Sequence, residues 1–500
     1  MIPVRTSSIH ELKTLIRSFH PVVAIESVEE ERVDQLVLAA SEELNLPVFE
    51  WTVVDGVRRH GETRTAIGQT TFAGNALRHI ESLKVDGVFL FRGLDEQLGD
   101  PVVQRMLKEV AVHFRGRGSV LVITGGSIEI PEELKQDVVF FPLELPNAEE
   151  LSAVVDMTVR SLRFGAAGAV SLNGGEREAL LHALSGMTMN QARQAVARAV
   201  LEDGRLDASD TVNINHEKGV AIRDGGLLEY YPPAENQFEL GGFEGLKGWL
   251  DRAAMGFSEA AAEMNLSPPR GILLVGVQGC GKSLAAKVVA RRWGVPLLKF
   301  NAARLYDKYV GQTEKNFVKA TKMAAAMAPA VLWIDEIEKA LATGGQVEAD
   351  GGVSQRLLGS FLSWLQEKDE RVFVVGTVNR IDVLPPELLR KGRFDEIFFV
   401  DLPTEGERGR IFEIHLRMRR QTLEGYDLGA LATASEGFSG AEIEQAVIGA
   451  LYRALYEGRT PDTALIVGEL EGTVPLSRSR WEDVKALRDY AEGRFVPAAG

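Results

Sequence analysis

The chain has 500 residues, more than one hydrophobic core usually serves, so two or more domains are expected. With 45% apolar and 25% charged residues it has the composition of a soluble globular protein, and no apolar run reaches the ~18 residues that would suggest a membrane span. A net charge of −15 repels polyanions over most of the surface, while one cysteine and eight scattered histidines exclude internal disulfides and show no zinc-ligand cluster.

The N-terminal stretch "MIPVRTSSIHELKTLIRSFH" is broken by charges and lacks a signal peptide's apolar core, which predicts a cytoplasmic protein with no membrane partner. From residue 21 short β-branched runs alternate with helical patterns: "PVVAIES", "VEEERVDQLVLAASEEL", "PVFEWTVVDG", "TTFAGNALRHIESL", "DGVFLF", "PVVQRMLKEVAVHF" and "SVLVITGG". Strands alternating with helices predict an α/β domain over 1–148 with a parallel sheet covered on both faces. The pattern then becomes helical, a lid over 149–203, and the polar, glycine-bearing stretch 204–237 reads as an interdomain connection. Alternation restarts with "GILLV", "LLKFNA", "AVLWIDE", "RVFVVGTVN" and "EIFFVDLP", giving a second core over 238–402 and a helical lid and tail over 403–500. One plan is used twice: "GMTMNQARQAVARAV" at 186–200 resembles "GFSGAEIEQAVIGAL" at 437–451, in the matching place of each half.

Chemistry concentrates in "GVQGCGKS" at 276–283, between a predicted strand and a predicted helix. Gly276, Gly279 and Gly281 with Lys282 and Ser283 satisfy the phosphate-loop pattern G-x-x-x-x-G-K-[ST]. Glycines let the loop's N–H groups point inward, and the helix N-terminus adds partial positive charge for phosphates. Lys282 is expected to reach the β and γ phosphates of ATP and Ser283 to bind Mg2+, while Val277, Gln278, Cys280 and Leu284 complete the cradle. In "VLWIDEIEK" at 331–339, Asp335 ends an apolar strand where it can support Mg2+, and Glu336 is placed to polarise the attacking water. Cys280 fills a free position of the motif and reads as a small residue that fits the loop; the rival reading is a thiol made oxidisable by the helix N-terminus.

These motifs resemble those of the AAA ATPases, ring-forming phosphate-loop machines. "TVNRIDVLPPELLRKGRFD" at 377–395 is similar to that family's segment from sensor 1 to the arginine fingers. The resemblance makes Asn379 the water-orienting sensor, and Arg390 and Arg393 the fingers given to a neighbouring subunit's nucleotide in a homohexamer. "LYDKYVGQTEKNF" at 305–317 resembles a pore loop with Tyr309 and Val310 gripping a polypeptide, and "ALATGGQVEADGGVSQ" reads equally as a second pore loop or a plain flexible loop. The family pattern also places Gly242, Gly440 and Ala441 near the adenine and His415 near the nucleotide. The phosphate loop departs from the family's Gly-Pro-Pro-Gly-Thr-Gly at Val277, Gln278 and Cys280, losing stiffness but no phosphate ligand.

Nearly the whole chain resembles the AAA family first noted as a hypothetical chloroplast open reading frame, through "PVFEWTVVDGVRR", "GGLLEYYP", "KFNAARLYDKYVGQTEKN" and "VPLSRSRWEDVKALRDYAEGR". The resemblance implies an α/β fold: a three-layer AAA core with helical lid, preceded by a degenerate AAA-like α/β domain with its own lid. The residues agree with degeneration, since "IESVEEER" stands where a phosphate loop belongs, and Arg92 and Gly93 stand where Asp335 and Glu336 do. The expected function is Mg2+-dependent ATP hydrolysis coupled to remodelling or translocating a macromolecule, protein ahead of nucleic acid. The alternatives are a nucleotide-dependent scaffold or switch, and a nucleic-acid motor using the basic run "LRMRR" at 416–420.

Overall fold

Unbroken apolar runs become strands whose neighbouring residues face opposite cores. The computed structural model describes residues 6–61, 69–126, 128–162, 169–170, 172–224, 226–232, 239–301, 312–340, 353–368, 371–390 and 392–499. Two compact units emerge, Met1–Ile214 and Asn215–Gly500. In the first, β1 (Val22–Glu26), β2 (Val48–Thr52), β3 (Gly56–Arg59), β4 (Val88–Arg92), β5 (Val120–Gly125) and β6 (Val138–Phe140) form one sheet in the order β3-β2-β4-β5-β1-β6. Only β3 runs antiparallel, as a hairpin with β2. Val22, Ala24, Phe89 and Phe91 pack against the helices Ala73–Ser82 and Pro101–Phe114. Val23, Ile25, Val88 and Leu90 pack on the other face, against Thr6–Arg17 and Glu30–Leu44.

A lid of three helices, Ala148–Ser161, Gly174–Leu184 and Met189–Asp203, follows, together with the short parallel pair β7 (Ala169–Val170) and β8 (Arg205–Leu206). It is tied to its own core by a buried ion pair. Arg32, 3% exposed, gives both oxygens of Glu150 a hydrogen bond at 3.0 and 3.2 Å, and also reaches Glu29 and the Glu144 carbonyl.

The second unit repeats the plan. Strands β9 (Leu228–Tyr231), β10 (Gly271–Gly276), β11 (Leu297–Phe300), β12 (Ala330–Ile334), β13 (Val372–Val378), β14 (Glu396–Val400) and β15 (Val496–Pro497) lie in the order β15-β14-β10-β13-β12-β11-β9. Without the edge strands β3, β9 and β15, both sheets read fifth, first, fourth, third, second. Leu273, Val275, Leu332 and Ile334 face one core, and Ile272, Leu274, Val331 and Trp333 the other. Both faces are therefore covered, the expected three-layer α/β architecture. Its lid contains Glu405–Met418, Leu428–Ala434, Gly440–Glu457 and Thr463–Glu471 around Phe412, Ile443 and Val447.

One expectation about boundaries needs correction. The stretch 204–237, read as a connection, contains β8, the helix Asp210–Asp224 and β9, which pairs antiparallel with β11. Its helix is rich in poor helix formers such as Thr211, Asn213 and Asn215, so the apolar stripe ending at Ile222 is weak in the sequence. The tail that follows the lid packs on the core. Arg488, on the helix Trp481–Ala491, binds Asp401 at 2.8–2.9 Å, and β15 adds a parallel edge beside β14. Among the described residues no helix is long and apolar enough to cross a membrane.

Removing one partner of a buried ion pair strands the other charge. Arg32→Ala is therefore expected to destabilise the first unit by about 3–5 kcal/mol, read by calorimetry as a lowered first transition, with the second unit's transition unmoved.

Candidate active site

The loop 277–281 turns from β10 into the helix Lys282–Trp293, and close approach dictates its glycines. A side-chain carbon at Gly276 would lie 2.0 Å from the Val400 carbonyl oxygen, while Gly279 (φ 77°) and Gly281 (φ 91°) take left-handed conformations. Lys282 is 5% exposed and folds back to donate to the carbonyls of Gly276 at 2.7 Å and Val277 at 2.8 Å. Burial lowers its ammonium to about 8, against the pull of nearby carboxylates. A buried cation at a helix N-terminus is a fitting anion receiver.

Asp335 follows the last residue of β12 beside this loop. Its Oδ1 accepts from Ser283 Oγ at 3.1 Å and Thr377 Oγ1 at 2.7 Å, and its Oδ2 lies 4.0 Å from Lys299. Thr377 Oγ1 also accepts the Glu336 N–H at 2.9 Å. Glu336, at φ 49°, takes a hydrogen bond from Asn379 Nδ2 at 2.9 Å on one carboxylate oxygen and from Lys339 at 2.6 Å on the other. The Lys339 bond leads in holding the Glu336 carboxyl below its ordinary range, so it is anionic at neutral pH. Burial pushes the neighbouring Glu338 carboxyl up. Ser283 and Asp335 present hard oxygens side by side, which suits Mg2+, an ion usually held by one or two carboxylates plus phosphate oxygens and water.

The lid and the entry segment meet the loop from the other side. The Ala441 N–H donates to the Gly279 carbonyl at 3.0 Å, and a side-chain carbon at Gly279 would meet Ser439 Oγ at 2.8 Å. Gly440 lies at the same contact. Gly242 (φ 85°) leaves room for Glu407, whose carboxylate would stand 2.0 Å from any side chain there and which accepts the Phe243 N–H at 3.4 Å. The structure thus gathers Gly242, Gly440, Ala441 and the loop. His415 is engaged within the lid: its Nδ1 lies 3.6 Å from Glu444 and 3.3 Å from Arg419, and burial lowers its pKa.

The other expected residues separate. Arg390 is exposed after the turn Pro386–Leu389, whereas Arg393 is half-buried and donates to the Leu362 carbonyl at 2.8 Å. Tyr309, Val310 and the glycine-rich stretch 341–352 lie outside the described residues. Cys280 is 7% exposed and its thiol is pushed up to about 12 by burial, which removes the physical basis for a helix-activated, oxidisable thiol. In the basic run, Arg417 pairs with Glu413 at 2.6 Å and Arg419 with Glu444 at 2.8 Å, so these two guanidinium groups already have carboxylate partners.

The first unit carries different chemistry at the matching places. Phe91 pairs with Ile123 as Ile334 pairs with Gly376, so Arg92 occupies the place of Asp335, and Thr124 that of Thr377. Charges are inverted: Arg92 binds Asp34 at 2.6 Å and Glu50 at 3.4 Å, and Glu50 faces Arg58 across the hairpin, where the second unit has Asp335, Lys299 and Glu229. Where the loop would lie, Glu29 accepts the N–H of Met189 at the start of a lid helix at 2.5 Å. A carboxylate thus takes the lid amide that a loop carbonyl takes in the second unit.

Sequence reasoning missed Thr377, Lys299, Lys339, Glu338, Ser439 and Glu407. Only Ser439 and Glu407 carried a signal, since each belongs to a capping box, Ser439 with Glu442 and Thr404 with Glu407.

Comparison with known proteins gives four family matches. The model "ATPase family associated with various cellular activities (AAA)" covers residues 272–402 and an "AAA+ lid domain" 425–464. "SpoVK-like AAA ATPase, N-terminal domain" covers 8–143 and the corresponding "second domain" 149–225. The chain is 34% identical over 498 residues to the "Uncharacterized AAA domain-containing protein ycf46" of Guillardia theta, covering 99% of this chain and 96% of that one. The same-named protein of Trieres chinensis is 33% identical over 493 residues, 98% and 97% of the two chains. The "Proteasome-activating nucleotidase" of Saccharolobus solfataricus is 34% identical over 238 residues, 46% of this chain and 59% of that one.

Only the thiolate is alkylated. With a thiol near 12, about one Cys280 in ten thousand is ionised at pH 8, against about a quarter of a free thiol. Native protein should resist iodoacetamide at pH 8 and take up one label per chain after unfolding, read by intact mass. Lys282→Ala should weaken ATP binding about ten- to hundred-fold or more by titration calorimetry, since a charge-assisted contact is removed.

Proposed function

This chain belongs to the AAA ATPase family, in the company of its full-length ycf46 relatives, and from that premise we propose that its second unit binds and hydrolyses Mg2+–ATP. The observation that carries the reading is one unbroken hydrogen-bonded chain: Ser283, Asp335, Thr377, Glu336, Asn379. It links a phosphate-binding helix to a carboxylate positioned for water.

In this reading Lys282 exchanges its two loop carbonyls for the β and γ phosphates, where its charge offsets theirs. Ser283 and Asp335 hold Mg2+, which supplies charge neutralisation at the phosphates. Glu336 exchanges Lys339 for the attacking water and takes up its proton, with Asn379 fixing the carboxylate's second oxygen. Arg390 and Arg393 serve a neighbouring copy's nucleotide in a homohexameric ring, Arg393 by leaving the Leu362 carbonyl. Hydrolysis drives remodelling or translocation of a protein, with Tyr309 and Val310 as the grip. That last step draws support from the partial match to a nucleotidase named for activating proteasomes.

Glu336→Gln keeps the shape and loses the base. It should bind ATP with kcat reduced ~100- to 10,000-fold, and sedimentation velocity should show an ATP-dependent hexamer-sized species that Arg390→Ala weakens. A species that stays monomeric in saturating ATP contradicts the self-assembling motor and leaves a nucleotide-dependent switch.

A further inference from the structure

We propose that Glu338 is a positioning residue for hydrolysis: it clamps the end of β13 so that the Asn379 amide holds Glu336 in place. This rests on the ATPase reading and deepens it. Glu338 lies in the short helix Ile337–Ala340, three residues beyond Asp335, and is 3% exposed. Its Oε1 accepts the backbone N–H of Asn379 at 2.9 Å and of Arg380 at 3.3 Å. These are the first two amides after β13 ends at Val378.

The Asn379 side chain therefore leaves from a fixed backbone, with Nδ2 2.9 Å from Glu336 Oε1. Glu336 is set from its own side by Thr377, which holds its N–H at 2.9 Å while its backbone takes φ 49°, uncommon for a residue with a side chain. The two water-orienting groups are thus held at two points, Glu336 by Thr377 and Asn379 by Glu338. Displacement of such a pair by about 1 Å costs on the order of a hundredfold in rate.

The second oxygen, Oε2, is buried without a hydrogen-bond partner among the described residues. An unsatisfied buried acceptor destabilises a fold, so the carboxylate's contribution lies in the two amides on Oε1. A carboxamide of the same shape offers an equivalent oxygen. The first unit keeps an acid, Asp95, three residues beyond Arg92, and it too has a buried oxygen without a partner. An architectural role is therefore the rival explanation.

The test compares wild type, Glu336→Gln, Glu338→Ala and Glu338→Gln in full-length protein. ATP turnover, ATP affinity, melting temperature and hydrogen exchange at the Asn379 and Arg380 amides are all measured. Expected for Glu338→Ala is a ~10- to 100-fold loss of kcat, with KM and ATP affinity unchanged and both amides exchanging faster. Glu338→Gln should restore kcat and amide protection. Wild-type kcat in Glu338→Ala, loss of affinity together with melting temperature, or failure of Glu338→Gln to rescue would each overturn the proposal. A wild type with no more turnover than Glu336→Gln would reject the ATPase reading, and the positioning role with it. Hydrogen exchange would then still report whether Glu338 holds the two amides.

Discussion

One carboxylate oxygen, Asp335 Oδ1, is shared by Ser283 and Thr377, and the second unit's chemistry hangs from it. Through Ser283 it joins the helix Lys282–Trp293; through Thr377 it joins β13 and the backbone of Glu336. The strand order makes the joint possible. Placing β12 between β11 and β13, with β10 on β13's far side, sets the carboxyl ends of β10, β12 and β13 side by side. Open parallel sheets bind ligands at that carboxyl edge.

The first unit shows what the same frame becomes without that joint. Arg92 replaces the shared carboxylate and pulls Asp34 and Glu50 toward itself. Glu29 takes a lid amide and Arg32 takes a lid carboxylate, so core and lid are held together by the unit's own charges. In the second unit the corresponding contacts are a loop carbonyl on Ala441 and the Glu407 contact at Phe243. These contacts border the loop 277–281. One module is therefore fastened by a buried ion pair and the other around that loop.

Much of this was legible in the sequence, and the boundary of legibility is physical. Unbroken apolar runs announced β1, β4, β5, β10, β12 and β13, and strict backbone geometry announced Gly276, Gly279 and Gly281, because a contiguous motif carries its own context. Arg92 and Gly93 were readable as losses for the same reason. Thr377 and Glu338 were not readable, since each acts across a sequence gap of 41 residues, Thr377 to Glu336 and Glu338 to Asn379, that only strand register closes. The helix Asp210–Asp224 and the edge strand β9 hid in polar sequence because each buries only one face.

The central claim is that this duplicated chain keeps a single nucleotide site, in its second unit. Equilibrium binding of Mg2+–ATP to Glu336→Gln, measured for stoichiometry with and without Lys282→Ala, tests it most directly. The account predicts one nucleotide per chain, with affinity falling at least about ten- to hundred-fold when Lys282 is replaced. Two per chain, or one whose affinity Lys282→Ala leaves unchanged, would contradict it and return a nucleotide-binding role to the first unit.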